Sequence, residues 1–113
     1  MVISFSQSLA RKQLLDKGEV YTYRWTRRSF FRREKGEVEY TWANSGRGTQ
    51  KIANVEIREV GQMDGADSRD LEPYYEKSGF WSAEYWSLIC VDFQGGIHAR
   101  HKGYLYHVKK RSR

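Results

Sequence analysis

Cysteine occurs once in this chain of 113 residues, at Cys90, and proline once, at Pro73. A single cysteine excludes an internal disulfide, so nothing points to the cross-linked framework of a small secreted domain. No stretch approaches the ~20 consecutive apolar residues of a membrane-spanning helix. The opening Met1-Val2-Ile3-Ser4-Phe5 has neither the basic segment nor the long apolar run of a secretory leader. A cytoplasmic location is therefore the expectation. Negative charge is also in short supply: fourteen Asp and Glu stand against twenty Lys and Arg, a formal net charge of +6.

What is present fits one domain, because 113 residues are too few for two independent cores. Hydrophobic residues make up 39% and aromatics 15%, so Trp, Tyr and Phe must supply much of the core. The positive balance bears on partners rather than on fold and leaves nucleic acid, an acidic membrane or none as the choices.

Along the chain, Val2 to Phe5 reads as a short strand. Ser6 caps a helix to about Asp16, with Leu9, Leu14 and Leu15 on its buried side and Gly18 as its stop. From Glu19 to Trp25 the residues alternate: Val20, Thr22 and Arg24 share one face, Tyr21, Tyr23 and Trp25 the other. This predicts an inward aromatic face, with Thr22 and Arg24 opposite it beside a cleft. After a basic connector, Val38, Tyr40 and Trp42 mark a third strand. Ile52 to Val60 forms a fourth, whose apolar parity requires a bulge near Asn54. The acidic stretch from Asp64 to Ser78 contains a short helix around Arg69 to Glu76, and Ser82 caps a longer one to about Phe93. Gly103 to Lys109 is a last strand, followed by a basic tail. The expected fold is α+β, a small curved sheet or barrel of about five to six strands with flanking helices.

Chemistry concentrates in the connector. Arg24, Arg27, Arg28, Arg32, Arg33 and Lys35 are interleaved with Trp25, Phe30 and Phe31. Guanidinium groups pair with phosphate oxygens, and exposed rings offer a face to an unstacked base. Arg47 and Lys51 extend the same charge. Membrane binding would need a basic amphipathic helix; the first helix carries only Arg11, Lys12 and Lys17, and the helix after Ser82 is not basic. His98, His101, His107 and Cys90 match no zinc-ligand spacing, so no metal is expected. No nucleotide-binding glycine loop or triad order is present, and no cofactor is expected.

The order of these segments resembles the ASCH family. Ile3-Ser4-Phe5, a helix, and Gly18-Glu19-Val20-Tyr21-Thr22-Tyr23-Arg24 are similar to its opening and its Gly-x-Lys-x-x-Thr-x-Arg signature. Ser78-Gly79-Phe80-Trp81-Ser82 looks like its Gly-Phe turn before a capped helix, and Gly103 to Val108 like its closing strand. The resemblance implies a PUA-like β-barrel that binds RNA in a cleft, linked to translation or RNA modification. It implies Thr22 and Arg24 on the cleft floor, with Trp25, Arg27, Arg28, Phe30, Arg32, Arg33 and Arg47 as further nucleic-acid contacts. Some members of the family are hydrolases of N4-acetylcytidine or ribonucleases, for which the candidates are Lys17, Thr22 and Glu76. Aligned on Thr22 and Arg24, the signature lysine is replaced by Glu19 and the glycine by Lys17, which ranks RNA binding above hydrolysis. A protein-interaction domain is the third reading, and the oligomeric state stays open.

Overall fold

Short-range signals in the chain become five strands and four α-helices among the described residues. They are β1 (Ile3–Ser4), α1 (Ser8–Lys17), β2 (Glu19–Arg24), α2 (Ser29–Arg33), β3 (Glu39–Asn44) and β4 (Lys51–Met63), then α3 (Ser68–Leu71), a 3-10 helix (Glu72–Lys77), α4 (Ala83–Gln94) and β5 (Gly103–Arg111). The computed structural model describes residues 2–46, 50–65, 67–94 and 102–111. The fold is α+β, and its five strands form one curled mixed sheet, a half-barrel, in the order β1-β3-β4-β5-β2. Only β1 and β3 run parallel; the other pairings are antiparallel.

The curl has a local cause in β4. Ala43 pairs with Ala53 and Asn44 with Lys51, so Ile52 is an extra residue. Glu59 pairs with Tyr106 and Gly61 with Leu105, so Val60 is a second one. Each extra residue bends the strand and raises its twist. The first lies two positions before the bulge expected at Asn54. It turns Ile52 toward the same core as Val55 and Ile57, despite the odd spacing between them.

Helix α1 connects the two outer strands of the sheet. Its N-cap is Gln7, whose Oε1 accepts from the Leu9 amide at 3.2 Å, rather than Ser6. Gly18 ends it at φ 82°, donating its amide to the Leu14 carbonyl. Ala10 and Leu14 face inward; Leu15, expected to be buried with them, lies 38% exposed one helical step away.

Two apolar clusters occupy the two faces of the sheet. One contains Ile3, Phe5, Leu14, Val20, Phe31, Val55, Ile57, Tyr106 and Val108. The other joins Tyr23 and Leu105 to Leu71, Phe80, Ala83, Trp86 and Cys90. Each fully buried aliphatic side chain contributes about 2 kcal/mol. Strand β2 is thus covered on both sides: Val20 and Thr22 are buried against the first cluster's face, while Tyr21, Tyr23 and Trp25 pack in the second. The aromatic face is inward, as expected, but the opposite face is not left open.

Strand β3 turns a charged residue inward. Tyr40 is 61% exposed, whereas Glu39 and Ala43 are buried. The reason is an ion pair: Arg28 Nε and Nη2 donate to the two Glu39 carboxylate oxygens at 2.8 and 3.0 Å. Arg28 also donates from its amide to the Tyr106 hydroxyl and from its guanidinium to the Val2 carbonyl. The bidentate pair ties the α2 connector to β3, and the Val2 contact ties it to the residue just before β1. Glu39→Gln, which leaves Arg28 charged and poorly paired, is expected to lower stability in urea unfolding by about 3 kcal/mol. Lys35→Ala, at an exposed position, is expected to change it by less than about 0.5 kcal/mol.

Candidate functional site

The edges β1 and β2 of the curled sheet approach each other without pairing, and a pocket of about 200 Å3 opens at this seam. Ser4, Phe5, Ser6 and Gln7 line one side, where β1 passes into α1. Thr22, Tyr23, Arg24 and Trp25 line the other, along β2 and just beyond it. Phe80, Trp86, Ile89 and Cys90 close the back. Phe80 is placed by a tight turn: Ser78 Oγ donates to the Tyr75 carbonyl and accepts from the Phe80 amide. Gly79 adopts φ 92° there, and a Cβ would run into the Leu9 carbonyl of α1. α4 begins after Ser82, whose hydroxyl accepts from the Tyr85 amide, and it carries Trp86 and Cys90 inward.

Arg24 is the chemical centre of this pocket. Its Nη2 donates across the seam to the Ser4 carbonyl at 2.7 Å, and its Nε donates to Thr22 Oγ1 at 3.2 Å. The guanidinium lies over the Phe5 ring, 5.3 Å from its centroid. No carboxylate pairs with it among the described residues. Burial, and then the charge of Arg28, push Arg24 down to about 10. It stays cationic at neutral pH, a half-buried charge without a carboxylate partner among the described residues. A guanidinium has five N–H donors, and Ser4 and Thr22 engage only part of that set.

Thr22 and Arg24 therefore lie together at the seam, on the one face that the alternation of β2 gave them. Trp25 is half-buried and donates its indole N–H to the Cys90 carbonyl at 2.9 Å. The remaining connector residues divide. Arg27 is held by Glu59, with Nε and Nη2 at 2.8 and 2.7 Å from its oxygens. Arg28 is committed to Glu39. Arg32 and Arg33 are exposed at the end of α2. Phe31 is buried, and Phe30 packs edge-on against it at 5.0 Å and against the first cluster. The helical turn of α2 buries Phe31 and leaves Phe30 half-buried beside it. Arg47, His98 and His101 lie outside the described residues.

The catalytic candidates do not assemble. Lys17 is exposed at the end of α1 and Glu76 on the 3-10 helix, and neither lines the pocket that contains Thr22. Glu19 accepts from Lys77 Nζ at 3.1 Å and meets His107 Nε2 at 2.9 Å. It clips the 3-10 helix to β5. His107 also stacks on Tyr21. Among the described residues, no three His, Cys, Asp or Glu side chains cluster as a metal site requires. No helix among them is long and apolar enough to cross a membrane.

Sequence reasoning missed the back wall and a second depression. The helical spacing of Trp86, Ile89 and Cys90 marked a buried face without showing that it meets β2. The second depression, of about 440 Å3, is lined by Trp25, Thr26, Arg27, Arg32, Gln62, Lys102 and Tyr104. Its residues come from separate parts of the chain, so no local motif announces it.

Comparison with protein-family models, curated proteins and solved structures finds no match.

Cys90 lines the pocket, but burial pushes its thiol up from 9.0 to about 12. At pH 8 this lowers the thiolate fraction by about 10^3-fold. Iodoacetamide is expected to modify the folded protein about that much more slowly than the urea-unfolded chain, as mass spectrometry would show. Glu19 is held below its usual 4.5, first by its hydrogen bond to His107 and then by that to Lys77. Its stabilising contribution is present above the unfolded carboxylate range and is lost as pH falls through the lowered value. Glu19→Gln is expected to flatten this acid limb in thermal melts; an unchanged limb would show that Glu19 does not contribute to it.

Proposed function

We propose that the chain is an RNA-binding domain of the ASCH, PUA-like kind, which takes an unstacked base of a single strand into the seam pocket. The observation that carries this reading is Arg24, a guanidinium without a carboxylate partner among the described residues, set among aromatic walls. Phe5, Tyr23, Trp25, Phe80 and Trp86 offer apolar surface to a flat ring. Arg24 supplies donors for a base edge that presents acceptors, and Thr22 holds the guanidinium in register. Exposed Arg32 and Arg33 add charge for the flanking phosphates. The net charge of +6 favours approach of a polyanion. In this reading the protein acts in the cytoplasm, in translation or RNA processing.

Hydrolysis of a modified nucleoside is the second reading, and Thr22 is the one catalytic candidate in the pocket. A lysine base would require burial or a neighbouring cation to lower its pKa, whereas Lys17 is exposed. Binding without turnover is therefore favoured.

Fluorescence anisotropy with a labelled single-stranded RNA tests the proposal. Log affinity is expected to fall with log salt by about 0.7 per phosphate neutralised. Arg24→Gln is expected to weaken binding by about tenfold, the cost of one good base contact, with circular dichroism reporting that the fold persists. Salt-insensitive binding, or none by the folded protein, would rule the proposal out.

A further inference from the structure

Trp25 is a wall of two depressions, the seam pocket on one side and the wider one of about 440 Å3 on the other. The wider one has three cations among its lining residues, Arg27, Arg32 and Lys102, and no carboxylate. Thr26 and Gln62 add a hydroxyl and an amide, and Trp25 and Tyr104 add ring surface. This donor-rich, acid-free set matches an oxyanion with several acceptor oxygens.

The three cations play different parts. Arg27 is already in place: Glu59 grips it bidentately, and its guanidinium lies over the Tyr104 ring at 5.6 Å. Two of its five N–H donors face Glu59, which leaves others for a ligand. Glu59 offsets part of its charge while removing the entropy cost of ordering it. Arg32 and Lys102 are exposed and have no acidic partner among the described residues. They supply the uncompensated charge. The depression is wide and open to solvent, which suits a phosphodiester passing along a surface better than a sealed-in ion.

We infer that this depression holds a backbone phosphate of the RNA strand, next to the nucleotide whose base enters the seam pocket. The two sites then read one nucleotide step, with Trp25 between base and phosphate. The inference rests on the RNA-binding reading and adds to it the place of the phosphate, with Lys102, Gln62 and Tyr104 as residues that no motif marked.

The test pairs two measurements on the full chain. In the first, Arg32→Ala and Lys102→Ala are titrated with single-stranded RNA over a range of salt. Each is expected to weaken binding several-fold and to reduce the salt slope by about 0.7, and the double variant by about twice that. In the second, inorganic phosphate is titrated into isotope-labelled protein, with amide shifts expected at Thr26, Arg27, Gln62 and Tyr104. If the wild type binds RNA but the variants keep its affinity and slope, the phosphate site is elsewhere and only this inference fails. If phosphate shifts these residues but RNA does not bind, the anion site belongs to another phosphorylated ligand and the RNA assignment falls. If an acidic peptide competes as well as RNA, the site reads carboxylates and the inference is overturned.

Discussion

The hydrogen bond from Arg24 to the Ser4 carbonyl spans the one place where the curled sheet does not close through its backbone. Both strands at that seam are outer strands, and α1 joins them directly. A sheet that curls far enough to bring its edges together must either pair them or fill the gap. Here the gap is filled by a guanidinium, an aromatic lining and α4 behind them. The pocket therefore follows from incomplete closure. The two extra residues of β4 bend the sheet whose outer strands meet there.

Clustered arginines in a chain need not share a purpose, and those around α2 show how packing sorts them. Arg28 is drawn inward because Glu39 is buried, and a buried carboxylate must be matched. Arg27 is anchored at the surface by Glu59 and Tyr104. Arg24 is half-buried at the seam without a matching acid among the described residues, and Arg32 and Arg33 extend into solvent. The acids that decide the sorting, Glu39 and Glu59, come from β3 and β4. Composition counts the positive charges, but tertiary pairing decides which of them a ligand can use.

The same distinction governs how much could be read from the residues alone. Local signals held: the alternation of β2, Gly18 after α1, Ser82 before α4, and the α+β class with five strands. So did the shared placement of Thr22 and Arg24. Features that depended on distant partners could not be read there. Which face of β3 turns inward was not legible, because Glu39 takes the inner side only by pairing with Arg28 of the connector. Whether Phe30 and Phe31 stay open or fold under was undecided by the connector alone, and α2 buries Phe31. Lys102, Gln62 and Tyr104 join Trp25 only after β4, β5 and the connector come together.

The curled sheet also bears on how the protein behaves among its own copies. A strand at a free edge presents unpaired amides and carbonyls that another chain can extend into a growing sheet. In this fold both edges turn toward each other. β1 is only two residues long, and Arg24 caps its Ser4 carbonyl. β2 has Thr22 and Arg24 turned into the seam rather than offered to a neighbour. The seam that forms the pocket thus also covers part of the short β1 edge, at the Ser4 carbonyl, against pairing with a second molecule.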